Sequence, residues 1–379
     1  MNRRCLLAVI LTSLLFAALV GMHVSRWVDW NSNLLPDIGE VIEEKPRFVS
    51  IQVPLTGSSL DRVQWFASVC HSRGLRVTWY SDEKALHQED IISALRSFTT
   101  SGDNIGLSFG QTFFNQMEPS KRLEHVDNSM ATFRDTFGYY PYIVQSYYID
   151  AYTLTHISVQ YPTVKAAIAY VNHEVYGDNF KSAGAYYMPY YPSKTNTLVP
   201  SSNENKIDIV ALPFIHRDPT NCILGQDINY NLNPQDGYKV VKNWTNYFAE
   251  LFQVYTEGWN LFGLALYLID LAYPDLPAEL IEQDLSHIQK QVQFGKCSNV
   301  LDTEFVAWFR SQFQKTPSYQ WIYRAPGNHS FLWEWRFTPY RRIGSINREI
   351  YEVRTYYKGV LEACYGRAVW PYDNSMPLD

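Results

Sequence analysis

The chain has 379 residues, 46% hydrophobic and 18% charged, which is enough to bury a sizeable core and excludes a disordered or coiled-coil protein. Lys plus Arg number 32 against 38 Asp plus Glu, a net charge of −6 with no basic stripe, so nucleic acid is set aside as a partner. Aromatic residues reach 16%, more flat amphipathic surface than a core alone requires and of a kind suited to stacking on sugars or peptides.

Arg3 and Arg4 precede an uncharged run from Leu6 to Val24, about 28 Å long as a helix, which matches the hydrocarbon core of a bilayer. Val20 to Trp30 offers a poor cleavage site, so the run reads as an uncleaved anchor, and the paired arginines favour a cytoplasmic amino terminus. The expectation is a single-pass membrane protein, residues 1–25 its anchor, with the rest extracytoplasmic. Residues 26–46 are polar and without period, as in a stalk. Cys70, Cys222, Cys297 and Cys364 would lie in an oxidising compartment, but their wide spacing suits isolated thiols as well as bridges.

From Arg47 apolar runs alternate with one-sided helical patterns. Arg47 to Val53 reads as a strand, followed by a helix carrying Leu60, Val63, Phe66, Ala67 and Cys70 and ended by Gly74. Leu75 to Tyr80 is a second strand, Asp90 to Phe98 a helix and Asn104 to Phe109 a third strand. The clearest helix runs from Pro119 to Phe137, with proline at its start and Gly138 just past its end. Strands at 142–148, 164–171, 206–214 and 261–269 follow, with helices at 152–161, around Trp244 to Tyr255 and around Ile281 to Val292. About seven strands alternating with helices point to an α/β protein, a (β/α) barrel over 47–315. Tyr319 to Arg324, Ser330 to Phe337 and Ile350 to Tyr357 instead alternate apolar with polar residues, giving a small β-rich module over 316–379.

Residues at the carboxyl ends of barrel strands line active sites. By that rule His216, just after the strand 206–214, is the histidine best placed for a pocket. Asp270 and Glu304 are acids at strand ends, and two carboxylates facing each other across a barrel mouth are what glycosidic hydrolysis needs. Gly106-Leu107-Ser108-Phe109-Gly110 has the G-x-S-x-G form of a serine hydrolase, and the order Ser108, Asp208, His216 would fit one, yet no helix starts directly after the serine. The histidines form no H-x-x-x-H or H-x-H pattern, so no metal site is expected. Tyr190 and Tyr191, within YYMPYYPS (Tyr186 to Ser193), could form a stiff platform for a sugar ring.

The order of elements resembles the polysaccharide deacetylase-like superfamily, the NodB-type glycoside hydrolase/deacetylase barrel. Gly102 to Ser108 (GDNIGLS) is similar to its G-H-E-I-G-N-H segment, and Gly138-Tyr139-Tyr140-Pro141 with Tyr142 to Gln145 to the run before its Pro-Tyr motif. The tyrosine-proline segment and aromatic carboxy-terminal part look like an uncharacterised branch, a domain of unknown function. This resemblance implies a site around Gln52, Gln145 and Tyr147. Where the superfamily carries its metal-binding Asp pair this chain has Ile51-Gln52-Val53-Pro54, with Ser108 in place of a ligating histidine and Gln145 in place of an arginine. The expectation is therefore a metal-independent hydrolase without cofactor, acting on a polysaccharide or cell-surface glycan. The alternatives are a catalytically inactive glycan-binding barrel and a serine esterase on Ser108.

Overall fold

Branched and aromatic residues in short runs that turn one face to helices and the other to a common interior dictate parallel pairing. In the computed structural model the described residues are 45–110, 117–146, 149–169, 188–201, 204–225, 227, 229–355, 362–363 and 367–368. The expected anchor and the expected stalk up to Glu44 lie outside them, and no described helix is long and apolar enough to cross a membrane.

The strands are β1 (Arg47–Pro54), β2 (Val77–Ser81), β3 (Asn104–Ser108), β4 (Ile143–Ser146), β5 (Ala166–Ala169), the hairpin β6 (Pro192–Ser193) and β7 (Asn196–Pro200), then β8 (Val210–Pro213), β9 (Gly263–Leu268) and β10 (Ser298–Asn299). Seven run parallel in the order β9-β1-β2-β3-β4-β5-β8, and no ladder joins β8 to β9 among the described residues, so the barrel is nearly closed. The short β10 adds to β1 through Phe48 and Val49.

Alternation along each strand decides what faces inward. Trp79 of β2 turns out to Phe66 at 6.1 Å and Phe98 at 5.2 Å, on the helices Leu60–Ser72 and Glu89–Thr100. Its neighbour Tyr80 turns in, where its hydroxyl donates to Asp302. Gly106 on β3 is a close approach, since a Cβ there would lie 2.7 Å from the Tyr80 ring. The helix Pro119–Phe137 ends at Gly138, whose φ of 84° is the left-handed cap that glycine adopts without strain.

A third helix of the barrel's last part, Asp302–Gln312, departs from the expectation that Glu304 ends a strand. Its first-turn Glu304 accepts from the Leu301 N–H at 3.0 Å, and Phe305, Val306 and Phe309 bury its inner face. The short helices Pro219–Gly225 and Pro234–Val240, between β8 and β9, were also not evident from period alone.

The carboxy-terminal strands β11 (Tyr319–Ala325), β12 (Asn328–Phe337), β13 (Arg341–Ile346) and β14 (Glu349–Thr355) form an antiparallel meander, with β13 added to the three expected strands. Trp321 stacks on Trp259 at 4.4 Å and donates to the Val254 carbonyl, which ties the sheet to the helix Trp244–Glu257. Among the described residues Cys70, Cys222 and Cys297 are buried free thiols, and Cys364 lies outside them.

Candidate functional site

Seven parallel strands deliver their carboxyl ends to one side of the barrel. A cavity of about 260 Å³ opens there, lined by Pro54, Ser108, Gln145 and Ser146 from β1, β3 and β4, by Phe214 and Ile215 just past β8, and by Leu268 and Asp270 at the end of β9. Asn233, Gln235, Asp236 and Tyr273 also line it, with Thr56 and Gly110.

The segment carrying Asn233 and Asp236 is held across the mouth by backbone. Residues 216–218 and 230–232 run antiparallel, with Leu232 N–H on the His216 carbonyl at 3.0 Å and Asp218 N–H on the Tyr230 carbonyl at 2.8 Å. Asn233 then opens the helix Pro234–Val240, where proline stands at a position that needs no N–H. The Asp270 N–H donates to Gln235 Oε1 at 3.4 Å, so this helix is tied to the end of β9.

Burial pushes the carboxyl of Asp270 up, and the negative charge of Asp236 adds to that, against the Ala272 N–H and Arg62. Burial likewise raises Asp236, but Arg217, the Asn231 amide and Lys239 oppose it. Gln145 is 3% exposed and Asn233 1%, and neither side-chain amide has a hydrogen-bond partner among the described residues. Buried amides without partners are rare because they forfeit hydration for nothing. The wall therefore presents two coupled acids and two unengaged amides to one small space.

Of the residues expected from sequence, Asp270, Gln145 and Ser108 meet at this cavity. His216 does not line it: the ring is fully buried, stacked on Tyr255 at 3.9 Å, with Nδ1 accepting from the Leu266 N–H at 3.1 Å. Glu304 is exposed and pairs with Arg76, the residue before β2, at the opposite end of the strands. Two contacts at 2.7 Å to the Arg76 guanidinium and the Leu301 N–H hold its carboxyl below the usual range against partial burial. Gln52 is fully buried inside the barrel, donating to both carboxylate oxygens of Asp302 at 3.0 Å. Tyr190 and Tyr191 are 3% and 1% exposed, their hydroxyls on the carbonyls of Thr197 and Phe313, so neither ring offers a face to solvent. Tyr147 lies outside the described residues.

The serine-hydrolase order is not assembled. Asp208 is bound by Arg310 at 3.0 Å and Lys165 at 3.4 Å, before β8, while Ser108 at the mouth donates nothing to a histidine and accepts from the Gly110 N–H at 3.1 Å. Sequence reasoning missed Asn233 and Asp236. The signal was Asn-Pro-Gln-Asp, a helix start in the loop beyond a buried strand.

A deacetylase-type zinc centre needs anionic or imidazole donors. The positions that the resemblance gives to metal ligands hold Gln52 and Ser108, and no three His, Cys, Asp or Glu among the described residues cluster as ligands. The residues present do not fit that group.

The family model for DUF3863, a domain of unknown function with a solved structure, matches residues 56–321. A candidate glycoside hydrolase/deacetylase from Parabacteroides distasonis superposes with a TM-score of 0.72 at 15% identity, covering 86% of this chain and 89% of that one. This likeness shows the glycoside hydrolase/deacetylase fold. A candidate polysaccharide deacetylase from Mycobacterium smegmatis gives a TM-score of 0.49 at 9% identity over 73% of this chain and 94% of that one. A family 4 carbohydrate esterase from Streptomyces lividans gives 0.38 at 11% over 69% and 95%. Comparison with curated proteins finds no match.

Proposed function

The chain belongs to the DUF3863 family, and from its barrel mouth we propose a hydrolase that cleaves a polysaccharide with Asp270 and Asp236 as its acid and base. The observation that carries this reading is that both carboxyls line one cavity and that the charge of Asp236 helps keep the proton on Asp270. Two coupled acids in unequal surroundings divide into acid and base roles. Asp270 donates its proton to the leaving glycosidic oxygen as the C–O bond breaks. Asp236, whose carboxyl is raised by burial while Arg217 and Lys239 oppose the rise, takes a proton from the attacking water. The amides of Gln145 and Asn233 bind sugar hydroxyls, and Phe214 and Tyr273 offer ring surface beside them.

The reading uses no metal. It places the chain on a membrane through Leu6 to Val24, the barrel and the β-rich module outside the cell and dividing near residue 315, where it would meet a cell-surface glycan; carbonate extraction of the full chain tests the anchor.

Incubation of the full chain with a panel of polysaccharides, read by release of reducing ends, tests the activity. Release is expected from at least one, lost in Asp270→Asn and Asp236→Asn while both variants keep cooperative melts. Release that survives in both variants refutes the assignment. Binding without release would leave a catalytically inactive glycan-binding barrel.

A further inference from the structure

We propose that the mouth selects a cationic saccharide, a sugar bearing a free amino group, over neutral and acidic sugars. This rests on the reading of the mouth as the glycan site and names the substrate class it takes. Among the described lining residues two are carboxylates, Asp236 and Asp270, and none is Lys, Arg or His.

The cations nearby do not themselves line the cavity. Lys239 Nζ donates to the Tyr273 hydroxyl at 2.6 Å and lies 4.1 Å from that ring's centre. Arg62 donates to the Tyr273 carbonyl at 3.3 Å, and Arg217 is buried in the strap behind the mouth. An incoming ligand therefore meets acids, and no cation, among the described lining residues. In a half-enclosed space such contacts are weakly screened, so an ammonium group is drawn in and a carboxylate sugar repelled.

The acids alone would not make a site. The amides of Gln145 and Asn233, nine-tenths buried and without partners among the described residues, lie in the same wall and supply both donors and acceptors. They suit a polyhydroxylated ring, so the combination specifies an amino sugar and not a bare cation.

Calorimetric titration of the full chain with a glucosamine tetramer, its N-acetylated counterpart and a galacturonate tetramer tests the proposal. The glucosamine tetramer is expected to bind at least about tenfold more tightly than the N-acetylated one, with no binding by the galacturonate. The preference should shrink as NaCl rises from about 50 to about 500 mM. It should vanish in Asp236→Asn/Asp270→Asn and persist in Glu279→Gln/Glu282→Gln, which removes the same charge from residues outside the cavity lining. Equal or tighter binding of the N-acetylated tetramer overturns it, as does absence of binding, a preference that survives the paired Asn substitutions, or one lost equally in the Gln control. Hydrolysis is read separately: selective binding with no polysaccharide cleaved would keep the preference and remove the catalytic reading, whereas cleavage of neutral polymers alone would do the reverse.

Discussion

Gly237 sits where the helix Pro234–Val240 crosses Trp244, and Gly237→Ala should displace Asp236 without unfolding the barrel. A Cβ at this position would lie 2.1 Å from Trp244 Cζ3, 2.7 Å from Cη2 and 2.9 Å from the Asn231 carbonyl oxygen. Ordinary contact begins at 3.4 Å, so 3.4 minus 2.1, or 1.3 Å, has to be found. Trp244 cannot give that much, because its Nε1 donates to both oxygens of buried Asp284 at 2.9 and 3.1 Å and Tyr267 holds the same carboxylate at 3.2 Å. The Asn231 carbonyl belongs to the strap paired with residues 216–218. The seven-residue helix is the part free to shift, and Asp236 shifts with it. Overpacking of this kind costs about 1–3 kcal/mol, offset by about 1 kcal/mol of better helix propensity. A net loss of about 0–2 kcal/mol lowers Tm by at most a few degrees in a domain of this size. A displacement near 1 Å at a reacting group, by contrast, costs about a hundredfold in turnover. Scanning calorimetry and reducing-end release on the same preparation should therefore show a small stability loss beside a large loss of activity. A Tm that rises, with release unchanged, would show that the helix accommodates the methyl and that its position does not fix Asp236.

Two further predictions concern the frame. Arg122 and Asp150 form a buried ion pair between the helix Pro119–Phe137 and the start of the helix Ala151–Gln160, so Arg122→Met should cost about 3–5 kcal/mol in denaturant titration by leaving a buried carboxylate uncompensated; a loss under about 1 kcal/mol refutes that. Asp218 is pushed up to about 6 by burial, against hydrogen bonds from Asn221, Tyr247 and Thr220. Its folded value lies above the unfolded 3.8, so the folded state holds the proton more tightly, and the stabilisation is complete below pH 3.8 and lost as pH rises through about 6. The gap is worth about 3 kcal/mol at most. Denaturant midpoints should fall between pH 4 and 6.5 in the native chain and fall less in Asp218→Asn; parallel profiles for the two proteins would refute the assignment.

Where a residue's place follows from its neighbours in sequence, the chain could be read directly. The run Gly263–Leu268 is buried at every position, which fixes β9 and puts Asp270 at its carboxyl end. Pro119 and Gly138 bracket a helix whose ends match to the residue. Asp302–Gln312 was harder, because only three buried apolar side chains seat it and its N-cap is Leu301, a residue type that announces no helix. Tyr190 and Tyr191 misled for a related reason. Tyrosines beside prolines look like surface, but here their hydroxyls satisfy carbonyls inside the fold.

The mouth shows why a site is less legible than a barrel. Strand and helix periods arise from one buried face repeated along an element, and any single residue can be wrong without hiding the pattern. Asn233 and Asp236 owe their position to pairing between residues 216–218 and 230–232 and to the contact of Gly237 with Trp244. None of these has a period. The acid expected across from Asp270 was placed at Glu304, on the reasoning that acids follow strands; β10 is only two residues long and adds to the amino-terminal half of β1, so the carboxylate after it emerges beside Arg76 at the far end. The second acid lining the mouth, Asp236, comes instead from a loop helix that the strand count does not predict. Under the proposed hydrolysis an acid pair drawn from the end of β9 and the helix Pro234–Val240 would work with carboxylates alone, and loss of release in Asp236→Asn is the outcome that separates this from a barrel that only binds.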